Sequence, residues 1–343
     1  MTGNTSQPSW QDLSLCRAPL MGLAILFVIL FHVPVAHSSA WYGLARLGNC
    51  GVDMFLFVSG MGLWFAWNKG SEPPSLAKFY KRRLARIYPA WVVVASLYYI
   101  PAYLSSGPDR FTPDVFHLVL NILCGWSFWR VAELSFWYVP VIMLLYVLAP
   151  FYMRLVQKSP TWKWLLLLSV MWYAVVRYVV PVWQNVGYLE IFWSRVPVFL
   201  LGINLGEWVR TGRCFERVPF WVISFGCWLL SLWLCYSIEA VRHSAYPPFV
   251  ERMAYIPLAV TTLLMCSRLL LHLPSIVTRV LSFVGGISLE LYLIHLAFVL
   301  PWLRPMRLGY WPTVALLLAV SIPLSWLLSK ACGWLISRLL KTN

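Results

Sequence analysis

The chain has 343 residues, 60% hydrophobic and 11% charged, less than half of the roughly 25% charged residues usual in soluble domains. That excludes a soluble globular protein and identifies an integral membrane protein. The formal charge of +15 is spread through short loops between apolar runs rather than gathered on one patch, so it reports membrane orientation and argues against a nucleic-acid partner.

Residues 1–16 are polar and mixed, with no small-residue cleavage site after the first apolar run, so they read as a cytoplasmic N-terminal segment rather than a signal peptide. Ten apolar runs follow, each of about 20 residues, the length of helix that crosses ~30 Å of hydrocarbon. They lie near residues 18–37, 49–68, 87–106, 134–153, 162–182, 190–209, 218–238, 252–271, 280–302 and 311–337. An eleventh candidate, residues 113–130, is shorter and carries His117, Asn121 and Arg130. Charge parity decides against it as a span. Without it, Arg17, the Lys69 to Arg86 cluster, Arg154, Lys158, Lys163, Arg210, Arg213, Arg217, Arg268, Arg279, Arg338 and Lys341 all fall on the inner side, as the positive-inside rule prefers.

The expected fold is therefore an all-α polytopic bundle of ten transmembrane helices, one membrane domain over residues 1–343 with both termini cytoplasmic. Residues 107–133 form an extracytoplasmic loop or re-entrant segment, allowed only where its backbone is buried in protein or lines a cavity. There is no internal repeat, and the chain ends six residues after the last run, so no appended soluble domain is expected. Pro34, Pro197, Pro257 and Pro323 are expected to kink their spans. The eight cysteines include no C-x-x-C pair, so no metal site is expected. Cys50 and Cys124 could pair if both lie on the outer side.

Ionisable side chains inside a membrane cost a few kcal/mol or more, and they survive mainly where they face the bundle interior or a wet cavity. Here they are His32, Asp53, Arg177, Glu190, Arg195, Glu207, Glu290 and His295. A neutral histidine takes and returns protons near pH 7, so His32 reads as a general base or as a hydrogen-bonded core histidine. Asp53 near the outer end of the second run reads as the carboxylate that orients His32, or as a rim aspartate bonding backbone amides. Arg83 and Arg86 in FYKRRLARIYP share a helix face and suit phosphate, or they anchor the loop at lipid headgroups. In GGISLELYLIH, Glu290 and His295 are five apart and point in different directions, and Glu290 reads as partner to Arg195 or Arg177. Trp126, Trp129 and Trp137 offer faces for a sugar, or form part of an interfacial belt.

Taken in order, LMGLAILFVILFH, GVDMFLFVSG, FYKRRLARIYP, FWYVPVIMLLYVLAP, RVPVFLLGINLG and GISLELYLIH resemble the membrane-bound acyltransferase-3 family, bacterial proteins that O-acylate surface carbohydrates. The resemblance implies transfer of an acyl group, usually acetyl, from cytoplasmic acyl-CoA to an extracytoplasmic carbohydrate. It implies a place in the bacterial inner membrane and no permanently bound cofactor, acyl-CoA being a co-substrate. It makes His32 the essential first-helix histidine, for which Asp53 stays the candidate support from the residues themselves, and makes Arg83 with Arg86 the donor-binding pair. Trp137, Arg195, Glu290, Tyr292 and His295 are the candidates for acceptor binding or structural support. The family's basic residue eleven positions before the histidine is replaced by Met21, and Arg17, one turn earlier, is the candidate substitute. Fifteen helical residues separate Arg17 from His32, about 22 Å, the order of reach from the coenzyme's nucleotide to its thiol. Rival readings are a transporter of saccharide or lipid-linked precursor, and an inactive relative acting as a sensor.

Overall fold

The computed structural model describes residues 7–70, 73–241 and 247–341. Among them the regular structure is helical, apart from one isolated bridge between Ser9 and Cys214. The side chains of Arg217 and Lys341, counted above for orientation, lie outside the described residues.

The helix α1, Arg17–His32, stops where Val33 turns extended ahead of Pro34, whose ring disfavours a helical residue before it. At 16 residues it rises about 24 Å, less than the run of apolar sequence suggested. The next helix, α2, Cys50–Trp67, is buried on nearly every side and is the centre of the bundle, as expected of a helix apolar all round. Next, α3, Leu76–Ser106, is capped by the Ser75 hydroxyl, which accepts from the Lys78 amide at 3.3 Å. Its 31 residues rise about 46 Å. Two short helices follow, α4 at Val115–Cys124 and α5 at Trp126–Val131. With 10 residues α4 rises about 15 Å and cannot span.

The helix α6 is Tyr138–Lys158, and α7, Leu165–Tyr178, leads into α8, Val180–Val186. The stretches Pro160–Tyr178 and Val180–Trp193 make a bent pair, turned by 96° at an extended Val179. Pro181, with no N–H, cannot donate back to the preceding turn there. Then come α9, Val196–Thr211, α10, Arg217–Tyr236, and α11, Pro248–Leu270. Next, α12, Ser275–Gly286, and α13, Ser288–Ile294, form a second bent pair, of 60°, and α14, Tyr310–Lys341, closes the chain.

Six described helices are long and apolar enough to cross a membrane, and eight spans result if each bent pair counts once. The first and sixth of the expected ten runs fold as the 16-residue helices α1 and α9. Two proline expectations fail: Pro34 lies beyond the end of α1, and Pro197 lies in the first turn of α9, where a missing N–H costs nothing. Pro257 and Pro323 do sit inside α11 and α14. Cys50 and Cys124 are both free thiols, correcting the suggested pairing. Cys50 is buried at the start of α2, while the Cys124 thiol donates to the Leu120 carbonyl in its own helix.

Close contacts at three glycines set how α1 packs on α12 and how α9 packs on α2. A Cβ at Gly22 would lie 2.0 Å from the Leu281 carbonyl oxygen, and one at Gly285 would lie 2.1 Å from that of Ala18, so α1 and α12 touch backbone to backbone. In the same way, Gly202 in α9 would meet the Phe57 carbonyl of α2 at 2.2 Å. In a membrane, where lipid is as apolar as leucine, such close approach is a principal source of helix association.

Candidate active site

Three arginines gather at the N-terminal ends of α1 and α3. Arg17 lies over α2 at Gly62, where a Cβ would be 2.8 Å from a guanidinium nitrogen. Arg83 and Arg86 project from α3 one turn apart, as their spacing requires. Arg86 Nη2 donates to the Gly286 carbonyl at 2.9 Å, and its Nη1 lies 3.9 Å from Glu290 Oε1. The Arg83 guanidinium stands over the Phe79 ring at 5.6 Å, and its Nε has no partner among the described residues.

These arginines form the charged end of a cavity of about 460 Å3. Its wall follows α1 through Met21 to Val28 and ends against Tyr138 and Tyr292. Val28 is one helical turn below His32. The Tyr292 hydroxyl is buried, without a partner among the described residues, and the ring centroid is 6.1 Å from that of His295. The cavity therefore joins a rim of three guanidinium groups to the neighbourhood of both histidines.

His32 is the last residue of α1 and half-buried, while His295 is fully buried at the end of α13, where one wider turn of helix, His295–Val299, carries the ring inward. His295 Nε2 and His32 Nδ1 are 3.1 Å apart. His295 Nδ1 is 2.7 Å from the Leu291 carbonyl oxygen. A carbonyl only accepts, so His295 carries its proton on Nδ1 and presents a lone pair at Nε2. His32 must then donate from Nδ1, which leaves its own Nε2 unprotonated with a free lone pair. The chain from Leu291 carbonyl to His295 to His32 holds one imidazole in one tautomer, the role a third group plays in a catalytic triad.

Several sequence expectations are corrected here. Asp53 does not orient His32: it is fully buried and ion-paired with Arg195, which also donates to Asn49 Oδ1 at 3.1 Å. Asn49 and Asp53 are one turn apart on the same face of the second span, and they meet the first turn of α9. Glu290 faces Arg86 rather than Arg195 or Arg177, because the bend at Ile287 turns the start of α13 toward α3. Trp137 is buried with its ring edge against Tyr138, Trp129 lies against Phe192, and Trp126 is exposed, so the three tryptophans do not make one sugar platform. Arg17, Met21, Arg83, Arg86 and Tyr292 do line one cavity. The pairing of His32 with His295 had no signal in the sequence, since 263 positions separate them.

The family model described as an acyltransferase domain matches residues 20–330. The chain belongs to the acyltransferase-3 family. It is a multi-span membrane acyltransferase, and the family match decides for an enzyme over a transporter. Arg17 lies just outside the stretch matched to the acyltransferase-3 model, whereas the histidines and the Arg83–Arg86 pair lie within it. No curated protein and no solved structure matches this acyltransferase.

Proposed function

We propose that the protein transfers an acyl group, acetyl in the first instance, from cytoplasmic acyl-CoA to a hydroxyl of a carbohydrate on the other side of the bacterial inner membrane. Arg83, Arg86 and Arg17 hold the coenzyme's phosphates, which guanidinium groups bind bidentately. Its pantetheine arm follows the apolar wall past Met21 and brings the thioester beneath Tyr292. His32 Nε2 takes the proton of the acceptor hydroxyl as the oxygen attacks the acyl carbon. The C–S bond breaks, and the proton returns from His32 to the departing thiolate, so the histidine ends as it began. His295 keeps His32 in the reactive tautomer throughout. Counting α1 and α9 as spans beside the eight gives ten, with both termini in the cytoplasm.

The observation that carries this reading is the cavity that runs from three arginines to within one helical turn of a hydrogen-bonded histidine pair. The test is release of free thiol from acetyl-CoA by purified protein in nanodiscs, in wild type and in His32→Ala. Wild-type release that falls by a factor of about 10² to 10⁴ in the variant supports a base at His32. A folded His32→Ala protein with undiminished turnover removes the residue from the mechanism. Acetyl-CoA radiolabelled in the acetyl group, supplied without acceptor, separates two routes. Label retained on wild type and lost from His32→Ala assigns an acyl-histidine intermediate, and no retained label assigns direct attack.

A further inference from the structure

A second cavity, of about 120 Å3, opens where α3 ends against residues 107–133. Both α1 and α3 begin at the arginine rim and run away from it, so His32 and this cavity lie toward the opposite face from the donor. The twenty residues from Arg86 to Ser106 alone rise about 30 Å.

The cavity is walled by Tyr98, Tyr99 and Tyr103 and by two carboxylates, Asp109 and Glu133. Glu133 is only 5% exposed, yet it lines the cavity. Its Oε2 accepts from the Tyr99 hydroxyl at 2.7 Å and from the Ser127 hydroxyl. Ser127 is held in turn by its amide donating to Asn121 Oδ1 at 2.7 Å, and Asn121 Nδ2 donates to the Phe111 carbonyl at 3.0 Å. Glu133 Oε1 has no donor among the described residues and is not sealed from solvent. Next to it, Ala132 adopts φ 53°, a left-handed conformation that costs a non-glycine residue energy and turns the chain so that Glu133 points back inward.

A buried carboxylate fixed on one oxygen and open on the other calls for a ligand that brings hydrogen-bond donors, and tyrosine rings beside it call for an apolar face. Two cations already stand near: the Arg110 guanidinium lies 4.5 Å over the Phe111 ring that lines the cavity, and Arg130 donates to the Arg110 carbonyl. A neutral ligand rich in hydroxyls fits that balance better than a metal or an ammonium ion. The space is well below the ~300–1,000 Å3 of sites that enclose a whole drug-sized ligand, so it suits one ring of a larger molecule.

We propose that this cavity is a saccharide subsite, holding one pyranose ring of the acceptor glycan with Tyr98 and Tyr103 at the ring face and Glu133 Oε1 accepting a ring hydroxyl. It rests on the reading of acyl transfer to a carbohydrate. The test is binding of the full-length protein in nanodiscs to an array of defined mono- to tetrasaccharides of hexoses, N-acetylhexosamines and uronates. Saturable binding to at least one class, weakened about tenfold or more in both Glu133→Gln and Tyr103→Ala, is the expected result. Tyr103→Ala leaves the Glu133 hydrogen bonds intact, so it carries the test if Glu133→Gln does not fold. Absence of glycan binding, binding unchanged in the folded variants, or calcium binding lost in Glu133→Gln with no glycan bound overturns the proposal. Thiol release from acetyl-CoA by wild type keeps the two readings apart. Glycan binding without thiol release leaves the subsite standing and refutes acetyl-CoA as the donor, and the converse refutes the subsite alone.

Discussion

Replacing His295 by alanine removes the acceptor of the His32 Nδ1–H without touching the arginine rim. The His32 ring then loses the acceptor 3.1 Å from its Nδ1, and its N–H is left to the Val28 carbonyl one turn back in its own helix. A donor left without its well-placed acceptor there costs up to about 1–3 kcal/mol. If that cost falls on the reactive orientation, at 1.36 kcal/mol per factor of ten, it corresponds to a loss of about 5- to 150-fold in kcat. Because His295 does not line the arginine-rimmed cavity, KM for acetyl-CoA should stay within about twofold of wild type. His295→Asn offers an amide oxygen in the same place and should recover part of the loss. The assay is thiol release at varied acetyl-CoA, with folding checked by thermal denaturation in the same nanodiscs. A folded His295→Ala protein with wild-type kcat, or one whose defect lies wholly in KM for the donor, refutes the positioning role.

Arg83→Ala and Arg86→Ala each remove a charge-assisted contact of about 1.5–3 kcal/mol, so KM for acetyl-CoA should rise by roughly 10- to 150-fold, while KM for acetylpantetheine, which lacks the nucleotide phosphates, stays unchanged. Equal effects on both donors would place the arginines elsewhere. Arg195→Met leaves Asp53 buried without its partner, which should cost about 3–5 kcal/mol and lower the denaturation midpoint, and Arg195→Met combined with Asp53→Leu should restore much of it. A double variant as unstable as the single one would contradict the pairing. Gly285→Ala drives a Cβ into the Ala18 carbonyl and should destabilise by about 1–3 kcal/mol, whereas Gly286→Ala, with open space around its Cβ position, should not. Equal midpoints for the two would show that α1 and α12 do not touch at that point. Ala132→Gly relieves the left-handed strain and should raise the midpoint by about 1 kcal/mol of stability. A lower midpoint would refute the strained turn beside Glu133.

The ionisable residues worth attention could be read directly, because a charge among apolar neighbours stands out whatever the fold. Their partners could not. Asp53 with Arg195, Arg86 with Glu290 and His32 with His295 are separated by 142, 204 and 263 positions, so each pair depends on how helices dock. Helical periodicity places a residue on a face but does not say which helix covers that face. The assignment of Asp53 to His32 failed for this reason, and so did that of Glu290 to Arg195. Glu133 escaped notice because residues 107–133 read as an outer loop, where a carboxylate is ordinarily solvated. Only the fold of residues 107–133 buries it.

Composition, apolar run length and loop charge were enough to establish a helical membrane protein, since lipid forces every spanning segment to satisfy its own backbone and so writes itself into the local sequence. The order of motifs was enough to name the family and to single out His32 and the Arg83–Arg86 pair. What tertiary structure alone decided was the bend at Ile287, the close approach of α1 and α12 at Gly22 and Gly285, and with them the meeting of His295 and His32. Those depend on van der Waals fit between helices far apart in the chain, a property of pairs of surfaces that no single segment contains.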